Sequence, residues 1–525
     1  MEKKKYVSLA FVLCISYFAL YPAIINEYHL LDDDALERLF FIHDMKEEVF
    51  DDGLISEFYP SYPYNMPAVV YLYMFLSYFL SLQRAIVLVS LICAIVSAYF
   101  LYDTAKYLYG STGALFTVLI GIPFFWSATF FTGVEQTLGF MFFMIFLYFL
   151  VRKRFKIASL FIFLMGITYP ILMVCAGASY AVFVFPRMKQ YAYLILSGVF
   201  VLGFMFLFIS PVQLITLGDF LEYQDPHIPE NGPHGIEPFH FDTFWQGAFH
   251  ARSEYFMGID LYDPVEGYRF EINGFFLLLL IFVLSSIAVS SFGDRFLWVH
   301  IVLGFFIYLT SYFFFFELNF FYPERYFQYL VWVPLIFVVG KNLSILYDRL
   351  RDRVPNYAGY VLLLICIIVL AAYVPHLRFD HHSCDYPATI DYFRENDAGL
   401  IGGFPGGNSV MDCIPFYAKE DVFVNRVVIN IYRPSYYEPL KERINESLEA
   451  YFSEDIQDVE SFCRENNLTH IVVEMDKFSN LESQQHFYKL WNLEKYAGKD
   501  FVLPKIDPVH SNGPISIVSC GSVIS

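Results

Sequence analysis

The sequence predicts a polytopic α-helical membrane protein, with about eleven spans plus juxtamembrane helices and a small C-terminal α/β soluble domain. Three observations predict it. Apolar blocks recur along the first 375 residues, many near the ~20 residues that carry a helix through a bilayer. The chain is 57% hydrophobic and 17% charged, with a mean hydropathy of +0.47, where soluble domains are about 25% charged. After about residue 375 the apolar blocks give way to short helix-like and strand-like segments.

A backbone that faces lipid must close its own hydrogen bonds, so each apolar block is expected to be a helix. Spans are expected at about 6–25, 86–102, 112–131, 136–151, 157–171, 172–186, 191–210, 275–291, 296–316, 326–340 and 356–374. Lys3–Lys5 before an apolar run resembles a signal peptide. The run is long enough to span and lacks a small-residue cleavage site, so it reads as a retained anchor. The block 67–82 follows Pro60, Pro63 and Pro67 and can lie against the membrane rather than cross it. Loop charge decides the matter. With Lys3–Lys5 cytoplasmic and 67–82 on the outer face, Lys106, Arg152–Lys156, Arg187, Lys189, Arg295 and Lys341–Arg353 all fall inside. A crossing at 67–82 would put Arg152–Lys156 outside.

This arrangement predicts an integral protein of the plasma or inner membrane with a cytoplasmic N-terminus. Residues 1–375 form the transmembrane domain, with outer loops at about 26–85 and 211–273, and residues 376–525 form an extracytoplasmic α/β domain. The loop 211–273 carries eleven acidic residues and no lysine. In the tail, Asp421–Asn425 and His470–Met475 read as strands, and Pro439–Phe452 and Asp455–Asn466 as helices. A net charge of −19 argues against nucleic acid as partner, which demands basic surface. The 60 Phe and 41 Tyr suit interfacial belts. Cys14, Cys93, Cys175 and Cys366 lie in apolar blocks and read as buried thiols. Cys384, Cys413, Cys463 and Cys520 lie in the tail, where disulfides can form if that side is oxidising. No internal repeat is found. Gly402-Gly403-Phe404-Pro405-Gly406-Gly407 is loop-forming and lacks the spacing of a dinucleotide fingerprint.

Four features can carry chemistry. Asp32, Asp33 and Asp34 follow the first span on the outer face. Three adjacent carboxylates repel, which favours a bound cation or a raised pKa, and such a carboxylate can act as general base. Asp34 also suits the N-cap of a helix over 35–50, with Glu37 completing a capping box; that leaves Asp32 and Asp33 unexplained. Glu135 lies between two spans at the outer surface, either as a hydrated boundary group or in a cavity shared with Asp33. Arg325, in Tyr322-Pro323-Glu324-Arg325-Tyr326, sits outside against the charge bias and suits a lipid-linked phosphate. An ion pair with Glu324 or Glu317, or snorkelling, is its alternative. His227, His234, His240 and His250, with Glu237 and Asp242, can bind zinc, but their spacing matches no compact motif.

In order along the chain these residues resemble the GT-C superfamily, the multispanning glycosyltransferases that use polyprenyl-phosphate sugars, such as protein O-mannosyltransferases and aminoarabinose transferases. Asp33-Asp34-Ala35 is similar to the family's Asp-Glu-Ala after its first span. Met66-Pro67-Ala68-Val69-Val70-Tyr71 is similar to the start of its juxtamembrane helix, and Arg84 to the basic residue that opens the next span. Glu135 stands where a second acidic residue is common, and Arg152–Lys156 matches the basic turn that follows. Pro323-Glu324-Arg325-Tyr326 leading into Val333-Pro334 is similar to the late Arg-Tyr…Pro span. The chain departs from the pattern in having Glu135 for the commoner Asp and no Lys near Gly166–Pro170. The Trp-Trp-Asp signature of oligosaccharyltransferases is absent, which argues against transfer of a whole glycan to asparagine.

The resemblance implies an inverting single displacement. Asp33 accepts the proton, with Asp32 or Asp34 as neighbouring candidate. Glu135 orients the acceptor or helps hold a divalent metal ion with Asp32, Asp33 and His240. Arg325, with Arg84, binds the donor phosphate. The partners implied are a polyprenyl-phosphate sugar as donor, a glycan, lipid or protein acceptor, and membrane lipids. Two rivals remain: a lipid or glycan transporter or flippase, and a non-catalytic membrane assembly protein. Transporters favour mid-span charges and repeated halves; here mid-span charges are almost absent and no repeat is found.

Overall fold

Helices make up most of the computed structural model, which describes residues 2–25, 39, 42–43, 67–125, 135–184, 259–262, 269–272, 274–289, 294–318, 328–353, 386–396, 398–406, 409–425, 434–479 and 493–524. Helix α1 (Glu2–Ile25) packs along α3 (Leu82–Phe125), and the short α2 (Pro67–Ser77) packs on α3 as well. The 11 residues of α2 span roughly 16 Å, about half the hydrocarbon thickness.

The 44 residues of α3 do not form one rod. Gly110 has φ 82° and ψ 174°, a backbone conformation open to glycine but costly for other residues. A Cβ on Gly121 would stand 3.1 Å from Leu101 Cδ2, so the arms 82–109 and 111–125 fold back on each other. They correspond to the spans expected at 86–102 and 112–131. Next come α4 (Glu135–Val151), α5 (Phe155–Gly166) and α6 (Pro170–Val184), then α7 (Gly274–Val289), α8 (Arg295–Leu318) and α9 (Val333–Arg353), the last entered through one π-helical turn, Gln328–Trp332. The segments 191–210 and 356–374 lie outside the described residues.

Two described helices, Leu82–Phe125 and Tyr329–Arg353, are long and apolar enough to cross a membrane. The count of about eleven spans exceeds what the described helices establish. The outward faces nevertheless carry apolar side chains at helical spacing, with Leu284 and Ile287 on α7 59% and 64% exposed and Val302 and Phe306 on α8 65% and 64% exposed. Continuous apolar surface of this kind is rare on a protein surrounded by water and is consistent with a membrane location.

Small residues set the closest helix contact. Gly113, Thr117 and Gly121 line one stripe of α3 at four-residue spacing, against Lys341 and Ser344, Gly340 and Ile336 of α9 in turn. The descending order on α9 makes the second arm and α9 antiparallel. Such stripes let backbones approach where lipid offers no hydrophobic drive. Asn342 Nδ2 donates to Ser285 Oγ at 3.1 Å and Ser286 Oγ at 3.0 Å, bonding α9 to α7 inside the bundle.

The two ends of the bundle differ. At the Gly110 end, Lys341 pairs with Asp294 at 2.9 Å and the Tyr109 hydroxyl donates to the same carboxylate. The other Asp294 oxygen caps α8 through the amides of Phe296 and Leu297. The Arg152 guanidinium covers the rings of Tyr107 and Tyr148. Arg152 and Lys341, which the charge rule groups together, therefore share this end. The chain enters α3 at Leu82, α4 at Glu135 and α9 at Gln328 from the other.

In the C-terminal part, β3 (Ile401–Gly402), β4 (His470–Glu474), β6 (Ile515–Ser519) and β5 (His510–Asn512) form a sheet in the order β3-β4-β6-β5. The first pair is parallel and the others antiparallel. Helices α10 (Pro387–Asn396), α11 (Ile414–Tyr417), α12 (Pro434–Tyr451), α13 (Ile456–Glu465), α14 (Met475–Ser479) and α15 (Cys520–Ile524) accompany it. The strand expected at Asp421–Asn425 is reduced to one parallel bridge, Ile401 to Val422. The turn expected at Asn466-Asn467 is present, with Asn467 at φ 52°. Cys463 and Cys520 form a disulfide, and Cys413 is disulfide-bonded too. Within the segment 211–273, β1 (Ile259–Tyr262) and β2 (Arg269–Ile272) pair antiparallel, a hairpin the sequence pattern did not announce.

Candidate active site

At the end of the bundle remote from Gly110, aromatic side chains from several segments meet. Phe124 and Phe125 close α3, Phe140 lies in the second turn of α4, Tyr169 precedes α6, and Tyr329 and Trp332 lie on the π-helical turn. Ring centroids are 4.6 Å apart for Phe125 and Phe140, 5.4 Å for Phe124 and Trp332, and 6.2 Å for both Phe140 and Tyr169 against Tyr329. All six are buried. Glycines admit the neighbouring helices: a Cβ on Gly139 would stand 2.6 Å from Tyr169 Cβ, and one on Gly304 2.8 Å from Val331 Cγ2. The π-helical turn re-aims the chain where it enters α9, and such turns recur at functional sites.

This floor fixes the neighbours of two sequence candidates. Glu135 is the first residue of α4, five positions before Phe140. Arg325 stands four positions before Tyr329 in the sequence. Arg84 is exposed in the first turn of α3, its backbone N–H donating to Ser81 Oγ at 3.4 Å, and so opens at the same end as Glu135. Asp32, Asp33, Asp34, Arg325, His227, His234, His240 and His250 lie outside the described residues. Among the described residues no three of His, Cys, Asp and Glu converge as metal ligands.

Beyond the acidic triad, Leu39, Ile42 and His43 are helical, within the helix expected over 35–50. Leu39 and Ile42 are buried. His43 Nε2 lies 3.0 Å from the carbonyl oxygen of Phe416 in the C-terminal part.

A second polar cluster escaped the sequence reading. Glu474 ends β4 at 2% exposure; Ser409 Oγ donates to Glu474 Oε1, and the Glu474 N–H donates to the Tyr451 hydroxyl at 2.8 Å. Burial pushes the Glu474 carboxyl up to about 7, while Lys477 and Ser409 pull it down. Burial likewise raises Tyr451 and lowers His470. The buried Lys477 places its ammonium 5.4 Å from the Phe404 ring centroid. The adjoining glycine-rich segment is filled by protein, since a Cβ on Gly403 would meet Met411 Sδ at 2.5 Å. No local sequence signal marked this cluster, because the segments carrying Ser409 and Glu474 meet only in the fold.

No protein-family model matches the chain, and no curated protein matches it. Among solved structures the chain is similar to the Archaeoglobus fulgidus oligosaccharyltransferase in complex with Zn and sulfate, with TM-score 0.47 and 12% identity over 90% of this chain and 69% of that one. It is similar to the same enzyme tethered to an acceptor peptide containing the NVT sequon, with TM-score 0.47 and 12% identity over 94% and 72%. It is similar again to the archaeal oligosaccharyltransferase AglB from Archaeoglobus fulgidus with an inhibitory peptide and a dolichol-phosphate, with TM-score 0.46 and 12% identity over 93% and 72%. Likeness of this degree carries no argument about this chain's reaction, which rests on its own residues.

Proposed function

We propose that this chain is an integral membrane glycosyltransferase of GT-C type, moving a sugar from a polyprenyl-phosphate donor to an acceptor on the extracytoplasmic face with inversion. One observation carries the reading: the segments that follow Glu135 and Arg325 pack on a single aromatic floor, at the end of the bundle away from Arg152 and Lys341. A lipid-borne substrate needs a site of that kind, with ionisable groups gathered at one membrane boundary above an apolar floor.

In the proposed reaction Asp33 takes the acceptor's hydroxyl proton as its oxygen attacks the anomeric carbon. The bond from that carbon to the phosphate oxygen breaks, and polyprenyl phosphate leaves against Arg325 and Arg84. Two guanidinium groups stabilise the charge that develops on the phosphate, and Glu135 orients the acceptor. A divalent ion, where the reaction uses one, would be held by Asp32, Asp33, Glu135 and His240. The disulfides of the tail support an oxidising, extracytoplasmic setting for it, and the contact between His43 and Phe416 supports placing the first loop on that same side.

The test is transfer itself. Purified protein incubated with radiolabelled polyprenyl-phosphate sugars should release polyprenyl phosphate and form a new glycosidic bond. Asp33→Asn should abolish this while leaving the protein folded, and chelation should abolish it if the ion is required. Lipid movement across sealed vesicles with no new glycosidic bond would establish a flippase instead.

A further inference from the structure

We infer that His43 is a positioning residue that clamps the helix following the acidic triad to the C-terminal α/β unit through the carbonyl of Phe416. The inference rests on the proposed reaction, in which that triad supplies the base.

The geometry begins with α11, a single turn over Ile414–Tyr417. The last carbonyls of a helix have no partner within it. The Tyr417 carbonyl accepts from Arg394 Nη2 at 3.0 Å and Nε at 3.4 Å. Lys419, at φ 64°, turns the chain away and gives its N–H to the Ile414 carbonyl at 3.1 Å. The Phe416 carbonyl instead faces His43 Nε2 at 3.0 Å. A carbonyl oxygen only accepts, so Nε2 carries the proton. The rings of His43 and Phe416 also meet edge to face, with centroids 6.0 Å apart. Phe416 is itself buried.

On the other partner, Leu39, Ile42 and His43 stand at the three- and four-residue spacing of one helix face. Two of the three are buried and the third makes this bond. His43 follows Asp34 by nine positions. The C-terminal unit thereby holds the helical position of His43, nine residues after Asp34 in the sequence, and a displacement of about 1 Å in a reacting group is enough to slow a reaction on the order of 100-fold.

The experiment uses the full chain in lipid nanodiscs and compares wild type, His43→Ala and His43→Gln, whose amide can donate at the reach of Nε2. Transfer from a radiolabelled polyprenyl-phosphate sugar is measured together with hydrogen exchange at 39–43 and 414–418. His43→Ala should lower kcat by about 10- to 100-fold, leave the donor KM within about twofold, and raise exchange at both segments together. His43→Gln should restore both readouts. Wild-type kcat and exchange in His43→Ala would overturn the clamp, as would a His43→Gln protein as impaired as His43→Ala. Coupled exchange in a protein whose wild type transfers no sugar would retain the clamp and overturn the glycosyltransferase reading.

Discussion

Phe140 and Tyr329 stand with ring centroids 6.2 Å apart, although one belongs to α4 and the other to the π-helical turn before α9. Each lies a few positions after a sequence candidate, Glu135 and Arg325 respectively. Phe140 also meets Phe125 at 4.6 Å, so it joins three segments. Phe140→Ala should destabilise the protein by about 3–5 kcal/mol through the cavity it leaves, and Phe140→Leu by less. Thermal unfolding in detergent, read beside transfer at a temperature where the variant remains folded, checks this. A fully stable Phe140→Ala protein would contradict the packed floor.

Gly340 offers a separate test of the bundle. A Cβ there would stand 2.8 Å from the Thr117 backbone nitrogen and 3.0 Å from the Gly113 carbonyl oxygen, and backbone cannot yield as a flexible side chain does. Gly340→Ala should cost about 1–3 kcal/mol as overpacking and Gly340→Leu more. The measurement is the yield of monodisperse protein and its melting temperature. Tolerance of leucine at 340 would mean that α3 and α9 do not approach this closely.

Glu474 predicts a pH dependence confined to the tail. Its carboxyl is raised from 4.5 to about 7 by burial, so between those values the folded chain holds a proton that the unfolded chain has released. Stability therefore falls as pH rises through that window. Glu474→Gln, which remains neutral, should flatten the slope. Chemical denaturation from pH 4.5 to 8, followed by hydrogen exchange at 470–474, reads the effect; a slope that survives in Glu474→Gln would assign it elsewhere.

The Cys463–Cys520 disulfide joins α13 to α15 across the end of the sheet. Its loss should cost about 2–5 kcal/mol. Thiol reductant, or Cys463→Ala with Cys520→Ala, should bring on proteolysis of the tail at lower temperature and leave α3 and α9 protected. Equal loss of protection in tail and bundle would show that the two do not unfold separately.

Much of the bundle is legible in the sequence because its long apolar runs are helical as expected, and Gly110 and Lys153 mark turns between such runs. The start of α2 is legible too, at Pro67. The tail is less so. His470–Glu474 has β-branched residues in a row and reads as a strand, whereas Ile401-Gly402 is a strand only because His470 and Ile471 lie beside it. Val422 shows the converse, a strand-like segment that gains a single bridge. The Ser409–Glu474 bond and the His43–Phe416 contact join positions far apart in the chain, and local pattern holds no trace of either. The π-helical turn at Gln328–Trp332, which packs against Gly304, was equally invisible.

Spin labels at Asp33, Glu135 and Arg325, placed pairwise on full-length protein in nanodiscs, measure whether the three positions share one site. The account predicts all three pairwise distances below about 20 Å, on the side of the bundle opposite Arg152. Any pair separated by about 30 Å or more, the thickness of the hydrocarbon core, would contradict it.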